Sequence, residues 1–173
     1  MSLYDWKILN AKIKQVGRGD AWLRRGGLKE YVDGSLGSRT AAFFKPFEDT
    51  PLDSGFFVNK PEYLYRQIKS ADSAGLQVMV HAIGDKAIHT LLNIFDRVAN
   101  ENGERDRRFR IEHAQHIHPD DIERFVSQRV IPSMQPYHTI DDGRWAEKII
   151  GHKRAETTYA FRSLLDSKAN LVF

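Results

Sequence analysis

The chain has no cysteine among its 173 residues. This absence excludes disulfide bonds, cysteine nucleophiles and thiolate metal ligands, and it fits a reducing compartment such as the cytoplasm. No apolar run is long enough to span a bilayer, so we expect no membrane partner. The formal net charge is only +3, and the densest basic cluster, Arg105–Arg110, is interrupted by Asp106 and Phe109. This pattern predicts a solvated connection between two elements rather than a nucleic-acid-binding surface.

Strand and helix patterns alternate along the chain, whose length suits a single domain over residues 1–173. Strands are predicted at Leu28–Val32, Val78–His81, Phe109–Gln115, Val130–Gln135 and Asn170–Phe173. Helices are predicted at Asp5–Val16, Asn59–Ala74, Asp85–Asn100, from Pro119 onward, and at Arg144–Ile150 and Glu156–Leu165. The alternation predicts an α/β fold with a parallel sheet and right-handed crossovers. The long irregular segment 33–59 contains several phenylalanines, among them Phe43, Phe44, Phe47 and Phe56, so we expect it to be packed.

Two histidines end successive predicted strands. Val78–Val80 runs directly into His81, and a second strand ends around His113, 32 residues later, which is about one strand–helix repeat. The carboxyl ends of neighbouring parallel strands meet at one edge of the sheet, so the two imidazoles can face a common site. A core or capping role explains either histidine alone. The matched pair favours metal ligation, because neutral imidazole is a common ligand of zinc.

Lys29 lies in a predicted buried strand, where an unpaired ammonium group is costly. A surface lysine is the plainer interpretation. A buried lysine with a lowered pKa can instead add carbon dioxide and form a carbamate that bridges two metal ions. Glu112 should point away from its neighbour His113 on an ideal strand, so we expect it to lie outside the site.

Other polar residues have simpler explanations. Asp85 is expected to cap the helix that follows it. His116 and His118 have a chelating spacing, but they precede Pro119, where a loop is predicted, so we do not assign them as ligands. His138 is expected at a strand end, where it could meet a substrate or occupy a turn.

Four segments resemble the metal-dependent amidohydrolase superfamily, and specifically its amidohydrolase-3, or YtcJ-like, branch. They are KEYVDGSLGSRT from Lys29, VHAIGDKA from Val80, RFRIEHAQH from Arg108 and SMQPYHTIDD from Ser133. The resemblance extends from about Trp22 to the last residue. It implies part of a TIM (β/α)8 barrel, about strands 4 to 8, truncated at both ends. It also implies hydrolysis of carbon–nitrogen bonds by a protein with one or two divalent metal ions, usually zinc.

The resemblance also implies roles for single residues. Lys29, His81 and His113 match metal ligands, and the lysine that Lys29 matches is carbamylated in many members with two metal ions. The loop containing Asp33 and Arg39 matches a segment that faces the substrate pocket, as does His138. No catalytic residue is expected in the chain, because the general acid–base aspartate should lie beyond Phe173. The metal-binding H-x-H pair of strand one should lie upstream.

These observations lead to two functions of different classes. The first is a metal-dependent hydrolase of small-molecule, non-peptide amides. The alternative is a catalytically inactive α/β fragment that self-associates. We expect a homo-oligomer, because the strands at Leu28–Val32 and Asn170–Phe173 would leave unpaired edges. A phosphate-binding module that uses Gly34–Ser38 is disfavoured, because the loop lacks both the P-loop ending and a GxGxxG turn.

Overall fold

The computed structural model describes residues 1–173 and contains a four-stranded parallel sheet in the order β1-β2-β3-β4. The strands are β1 (Leu28–Tyr31), β2 (Val78–Ala82), β3 (Arg110–His113) and β4 (Ile131–Ser133). The predicted parallel α/β class is therefore confirmed. The fifth predicted strand is reduced to one parallel bridge between Ser133 and Val172, beside β4.

Eight α-helices accompany the sheet. They are α1 (Trp6–Val16), α2 (Pro61–Ser73), α3 (Asp85–Asn102), α4 (Ile122–Ser127), α5 (Pro136–Asp142), α6 (Ala146–Ile150), α7 (His152–Ala155) and α8 (Phe161–Asp166). Short 3₁₀ turns at Leu3–Asp5 and Pro119–Asp121 precede α1 and α4. The helices between successive strands connect parallel neighbours, so the carboxyl ends of all four strands lie at one edge of the sheet.

Two predictions in the last third of the chain are wrong. His138 does not end a strand but lies inside α5, because Pro136 at the first helical position suits a helix start. The helix predicted at Glu156–Leu165 does not form across its first half. Tyr159 there has a φ of 52°, which an α-helix cannot contain, and α8 begins only at Phe161.

The main core fills the space between the sheet and its helices. Helix α3 supplies the longest apolar stripe, as its sequence periodicity predicts. Its fully covered side chains are Ile88, Leu91, Leu92, Phe95 and Val98. Each such side chain contributes roughly 1.5–3 kcal/mol through burial. Phe95 also stacks on Phe109, which precedes β3, with ring centroids 4.3 Å apart. This contact fixes α3 against the sheet.

A smaller apolar cluster packs the irregular segment 33–59 onto α6. Phe43 and Phe47 lie in this cluster, whereas Phe44 and Phe56 are exposed. The segment is thus packed as expected, and its partly buried Phe57 also packs against the main core. Asp85 does not cap α3 as predicted. It is the first residue of the helix, and its carboxylate accepts the backbone N–H of Phe44 at 2.9 Å, which ties the segment to α3.

No helix of the structure combines the length and the apolar character needed to cross a membrane.

Candidate metal centre

A row of polar side chains crosses one face of the sheet near its carboxyl end. In the strand register, Tyr31 of β1 lies beside His81 of β2, His81 beside Glu112 of β3, and Glu112 beside Ser133 of β4. Lys29 lies two residues before Tyr31 and therefore points to the same face. The intervening strand residues point to the other face, which α2 and α3 cover.

His81 and His113 meet at this edge. Their ring centroids are 4.7 Å apart and their planes are inclined by 72°. His113 pairs in register with Ala82, so an ideal strand would send its ring to the opposite face. However, His113 and Ala114 have φ values of 73° and 44°, and this left-handed end turns the imidazole of His113 back toward His81.

The same turn corrects the expectation for Glu112. Because the alternation is broken at His113, Glu112 and His113 both lie on the side of the sheet that carries His81. The Glu112 carboxylate accepts a hydrogen bond from Arg110 Nε at 2.7 Å. Its charge opposes the fall in the pKa of Lys29, which places an acidic group close to that lysine.

Hydrogen bonds select one nitrogen of each imidazole as a lone-pair donor. His81 Nε2 lies 2.8 Å from the carbonyl oxygen of Gly34, which only accepts, so Nε2 carries the proton and Nδ1 the lone pair. His113 Nδ1 lies 2.6 Å from Gln135 Oε1, so His113 has its lone pair on Nε2. Metal-binding histidines characteristically donate their other N–H to a carbonyl in this way.

Electrostatics keep both rings neutral. Burial lowers the pKa of His81 to about 4, and the nearby His113 and Lys29 act in the same direction. Burial also lowers the pKa of His113, against the hydrogen bond to Gln135. A metal ion binds only the unprotonated imidazole, so the pair is ready to act as ligands at neutral pH.

Lys29 lies on the same face as the two imidazoles and is half-buried. Its Nζ sits 4.1 Å from the ring centroid of Tyr31. Burial lowers the pKa of Lys29, while the charges of Glu112 and Glu30 oppose the change. The structure thus brings Lys29 to the neighbourhood of the histidines, as the strand positions suggest.

The three residues assigned to the substrate pocket have different surroundings. Asp33 is only 1% exposed, and its carboxylate is occupied by backbone N–H groups, so it does not face an open pocket. Arg39 lies at the surface and pairs with Asp49. His138 stacks on His113 with ring centroids 5.9 Å apart. The side chains of two of the three thus adjoin the histidine pair, since Asp33 Oδ1 also lies 3.6 Å from His81 Nε2.

The carboxylate of Asp33 instead organises the backbone around the pair. It accepts hydrogen bonds from Ala42 N at 2.9 Å, Ile83 N at 3.0 Å and Gly84 N at 2.8 Å. Burial raises the pKa of Asp33 to about 7, against these three hydrogen bonds. Asp33 thereby joins the segment after β1 to the turn after β2, next to His81.

The donor set for a metal is incomplete within this chain. No group of three or more histidine, aspartate or glutamate side chains is arranged to hold one ion. Two neutral imidazoles with defined lone pairs are present, whereas catalytic zinc sites generally use three protein ligands. The residues therefore fit part of a metal centre.

A buried polar network behind the pair has no clear signal in the sequence. The side-chain amide of Gln115 donates to Asp142 at the end of α5 and to His116 Nε2, the latter at 3.1 Å. Tyr159 donates its hydroxyl to the same Asp142 carboxylate at 2.5 Å. The network anchors the helix that carries His138. Its members are far apart in the sequence, and only their fold brings them together.

His116 makes the stability of this network sensitive to pH. Burial lowers the pKa of His116 to about 3 from a usual 6.5, and the charge of Arg154 acts in the same direction. On acidification, His116 therefore takes up a proton in the unfolded chain but stays neutral in the folded chain. This residue therefore lowers the free energy of unfolding by about 2 kcal/mol between about pH 7 and pH 5.

Urea denaturation of the His116→Gln variant at the two pH values tests this expectation. Its loss of stability on acidification should be smaller than that of the original chain by that amount. His152→Gln is the matched control, because the His152 side chain is 80% exposed. An identical pH dependence in the original chain and the His116→Gln variant would contradict the prediction.

The chain belongs to the amidohydrolase family, which it matches over residues 6–173. It is 44% identical over 166 residues to the protein LONG AFTER FAR-RED 3 of Arabidopsis thaliana, and the match covers 95% of this chain and 28% of that protein. It is 35% identical over 140 residues to the putative amidohydrolase YtcJ of Bacillus subtilis strain 168, covering 81% of this chain and 26% of that protein. The predicted family is therefore confirmed.

Solved structures agree with this assignment. An uncharacterized metal-dependent hydrolase from Pyrococcus furiosus superimposes with a TM-score of 0.79 at 35% identity, over 95% of this chain and 34% of that one. A second, from Pyrococcus horikoshii OT3, gives a TM-score of 0.80 at 36% identity, over 96% and 33%. The chain thus spans about a quarter to a third of the length of these relatives.

Proposed function

We propose that this chain supplies part of the active site of a metal-dependent hydrolase that cleaves carbon–nitrogen bonds in small-molecule, non-peptide amides. The family assignment supports hydrolysis, and the printed names of the two archaeal structures support a metal. The observation that carries the proposal is the pair His81 and His113. Burial lowers the pKa of both rings, both are oriented by a carbonyl oxygen, and they meet at the carboxyl edge of a parallel sheet.

In this proposal, His81 would ligate a divalent metal, zinc in our assignment, through Nδ1, and His113 would do so through Nε2. Lys29, as its carbamate, would complete the contribution of this chain. When bound, the metal polarises the carbonyl of the substrate and lowers the pKa of a bound water toward 7.

The surrounding residues prepare the two ligands. The carbonyl of Gly34 and the side-chain amide of Gln135 hold the rings in one tautomer. Asp33 fixes the turn after β2, which would otherwise let His81 shift. His138, stacked beside His113, is placed to contact a substrate, and Arg39 belongs to the loop that we assign to the pocket.

The relatives are three to four times longer than the matched region, so we assign the missing ligands and the proton-transferring aspartate to the part that this chain does not span. Without the second metal ion that those groups would hold, Lys29 would revert to a free amine and leave two imidazoles, whereas catalytic zinc sites generally use three protein ligands. General acid–base help, which alone is worth about 10²–10⁴-fold in rate, would also be missing. The whole protein is therefore the proposed catalyst.

Zinc binding tests the ligand assignment directly. We expect the chain to bind Zn²⁺ weakly, and His81→Ala or His113→Ala to weaken binding by about tenfold or more. Equilibrium dialysis with elemental analysis measures both. His152→Ala is the matched control, because this histidine lies at the surface of α7. Equal zinc affinity in all four proteins would overturn the assignment.

A hydrolysis assay tests the reaction. The substrates are N-acyl amino acids and formamides, with zinc and bicarbonate added. A protein of the full length of the relatives that contains this chain should hydrolyse at least one of them and lose that activity on His81→Ala. The 173-residue chain should show no turnover above a His81→Ala, His113→Ala control. Turnover by the chain alone above that control would show that the groups assigned outside it are dispensable.

A further inference from the structure

A hollow of 380 Å³ lies at the amino end of the sheet, opposite the histidine pair, and no apolar side chain lines it. We call it the arginine hollow, after its six arginines: Arg18, Arg24, Arg25, Arg105, Arg107 and Arg108. Its other lining residues include Gln77, which immediately precedes β2. Since a strand rises about 3.3 Å per residue, the hollow is roughly 13 Å from His81. It is therefore separate from the candidate metal centre.

The positive charge of the arginine hollow is poorly compensated. Asp106 is the one acidic residue in its lining, and it pairs with Arg108 at 2.9 Å. Arg18 donates to the carbonyl of Gly75 at 2.7 Å and Arg25 to that of Gly17 at 3.2 Å, and neither forms an ion pair with a carboxylate. Guanidinium groups this close repel one another, so an anion in the hollow would relieve an unfavourable interaction.

A buried carboxylate holds part of the cluster in place. Asp72 of α2 is 2% exposed and accepts from Arg105 Nε at 3.1 Å and Arg107 Nε at 3.2 Å. One carboxylate cannot neutralise two guanidinium groups. Each arginine has five N–H donors, so both retain donors beyond those used on Asp72. Asp72 therefore holds the guanidinium groups of Arg105 and Arg107 in position before a ligand binds, which reduces the entropic cost of binding.

The chain also leaves space where the guanidinium groups converge. Gly75 has a φ of +72°, and a Cβ built on it would lie 3.4 Å from Arg18 Nη2 and 3.8 Å from Arg105 Nη1. Arg18 and Arg105, which are distant in the sequence, therefore both lie beside the backbone of Gly75. Because Gly75 has no side chain, none lies between these two guanidinium groups at this point.

We propose that the arginine hollow binds the phosphate chain of a polyphosphate anion, either free or carried by a nucleoside. Arginine forks match phosphate oxygens geometrically and form charge-assisted hydrogen bonds with them. The six arginines outnumber Asp72 and Asp106 by four charges, so a single phosphate group would leave much of the excess uncompensated. A chain of linked phosphates supplies several adjacent negative charges within one small ligand.

Isothermal titration calorimetry of the chain with tripolyphosphate, ATP and adenosine tests this assignment. Tripolyphosphate and ATP should bind and adenosine should not. The Arg24→Gln, Arg25→Gln variant should bind both anions at least about tenfold more weakly, since it loses charged hydrogen bonds while both side chains are exposed and leave the fold intact. Arg144→Gln, Lys148→Gln is the matched control, because it removes the same charge around a different surface hollow.

The outcomes separate the sources of the ligand. Equal affinity for tripolyphosphate and ATP would assign the hollow to the phosphate chain alone. Tighter binding of ATP, with none of adenosine, would add a nucleoside contact, and both results support the proposal. Three results would overturn it: no binding of either anion, adenosine binding as tightly as ATP, or equal weakening in the control pair.

Discussion

Asp33→Ala will lower the free energy of unfolding by about 4 kcal/mol. The Asp33 carboxylate accepts three backbone N–H groups, those of Ala42, Ile83 and Gly84, in a fully buried position. Alanine leaves all three donors without a partner, and each buried unsatisfied group costs roughly 1–3 kcal/mol. Since ordinary domains are stable by about 5–15 kcal/mol, this loss is a large fraction of the total. Urea denaturation of the two proteins measures it.

Asp49→Ala is the matched control for this prediction. Asp49 belongs to the same irregular segment as Asp33, but its carboxylate pairs with Arg39 at the surface. Exposed ion pairs contribute only about 0–1 kcal/mol. We therefore expect Asp49→Ala to change the free energy of unfolding by less than about 1 kcal/mol. If the two variants were equally stable, the carboxylate of Asp33 would not be the anchor described here.

Gly84→Ala will cost about 3 kcal/mol or more, for a related reason. A Cβ at this position would lie 2.1 Å from the carbonyl oxygen of Ala42 and 2.6 Å from its carbonyl carbon. Both are backbone atoms, so no side-chain rotation relieves the overlap and the two segments must separate. Forcing extra volume into a packed region costs typically 1–3 kcal/mol, and separation would also weaken the hydrogen bonds to Asp33. Denaturant unfolding again provides the measurement.

Gly26→Ala offers the comparison for this substitution. A Cβ on Gly26 meets no atom within 4 Å. The same chemical change there should alter the free energy of unfolding by no more than about 0.5 kcal/mol. A Gly84→Ala protein as stable as Gly26→Ala would mean that the approach of Ala42 to the turn after β2 is looser than the structure indicates.

Much of the fold could be predicted from periodicity. Helices α2 and α3 were correctly predicted because each buries one apolar stripe, and β1 to β4 because short apolar runs precede helical patterns. The two wrong predictions, the helix at Glu156–Leu165 and the strand end at His138, depend on single residues. Neither the positive φ of Tyr159 nor the helix start at Pro136 changes the apolar pattern, so periodicity alone could not detect them.

The part of the candidate site that lies at strand ends can be predicted from the sequence. His81 and His113 end neighbouring strands, and the structure brings them together. The position of Glu112 was not predictable, because a left-handed φ at a histidine has no signature in the sequence. The surroundings of Asp33 also could not be predicted, since two of its N–H donors, Ile83 and Gly84, lie about fifty residues away.

The arginine hollow shows a different limitation of sequence analysis. The sequence predicts a solvated connection at Arg105–Arg110, because it shows only which residues are neighbours in the chain. The fold adds Arg18, Arg24 and Arg25 from the segment before β1 and thereby doubles the number of arginines at that place. Charge clusters built from distant segments cannot be recognised before the tertiary structure is known.

The left-handed end of β3 places two consecutive residues, Glu112 and His113, on the same face of the sheet. In a regular strand only every second side chain points to a given face of the sheet. A further functional group on that face therefore normally needs another strand or a longer one. Here the reversal at His113 lets Glu112 and His113 both face the side of the sheet that carries His81, from a strand of four residues. The spacing at this point is therefore rigid, because inserting or deleting one residue would return one of the two side chains to the helical side of the sheet.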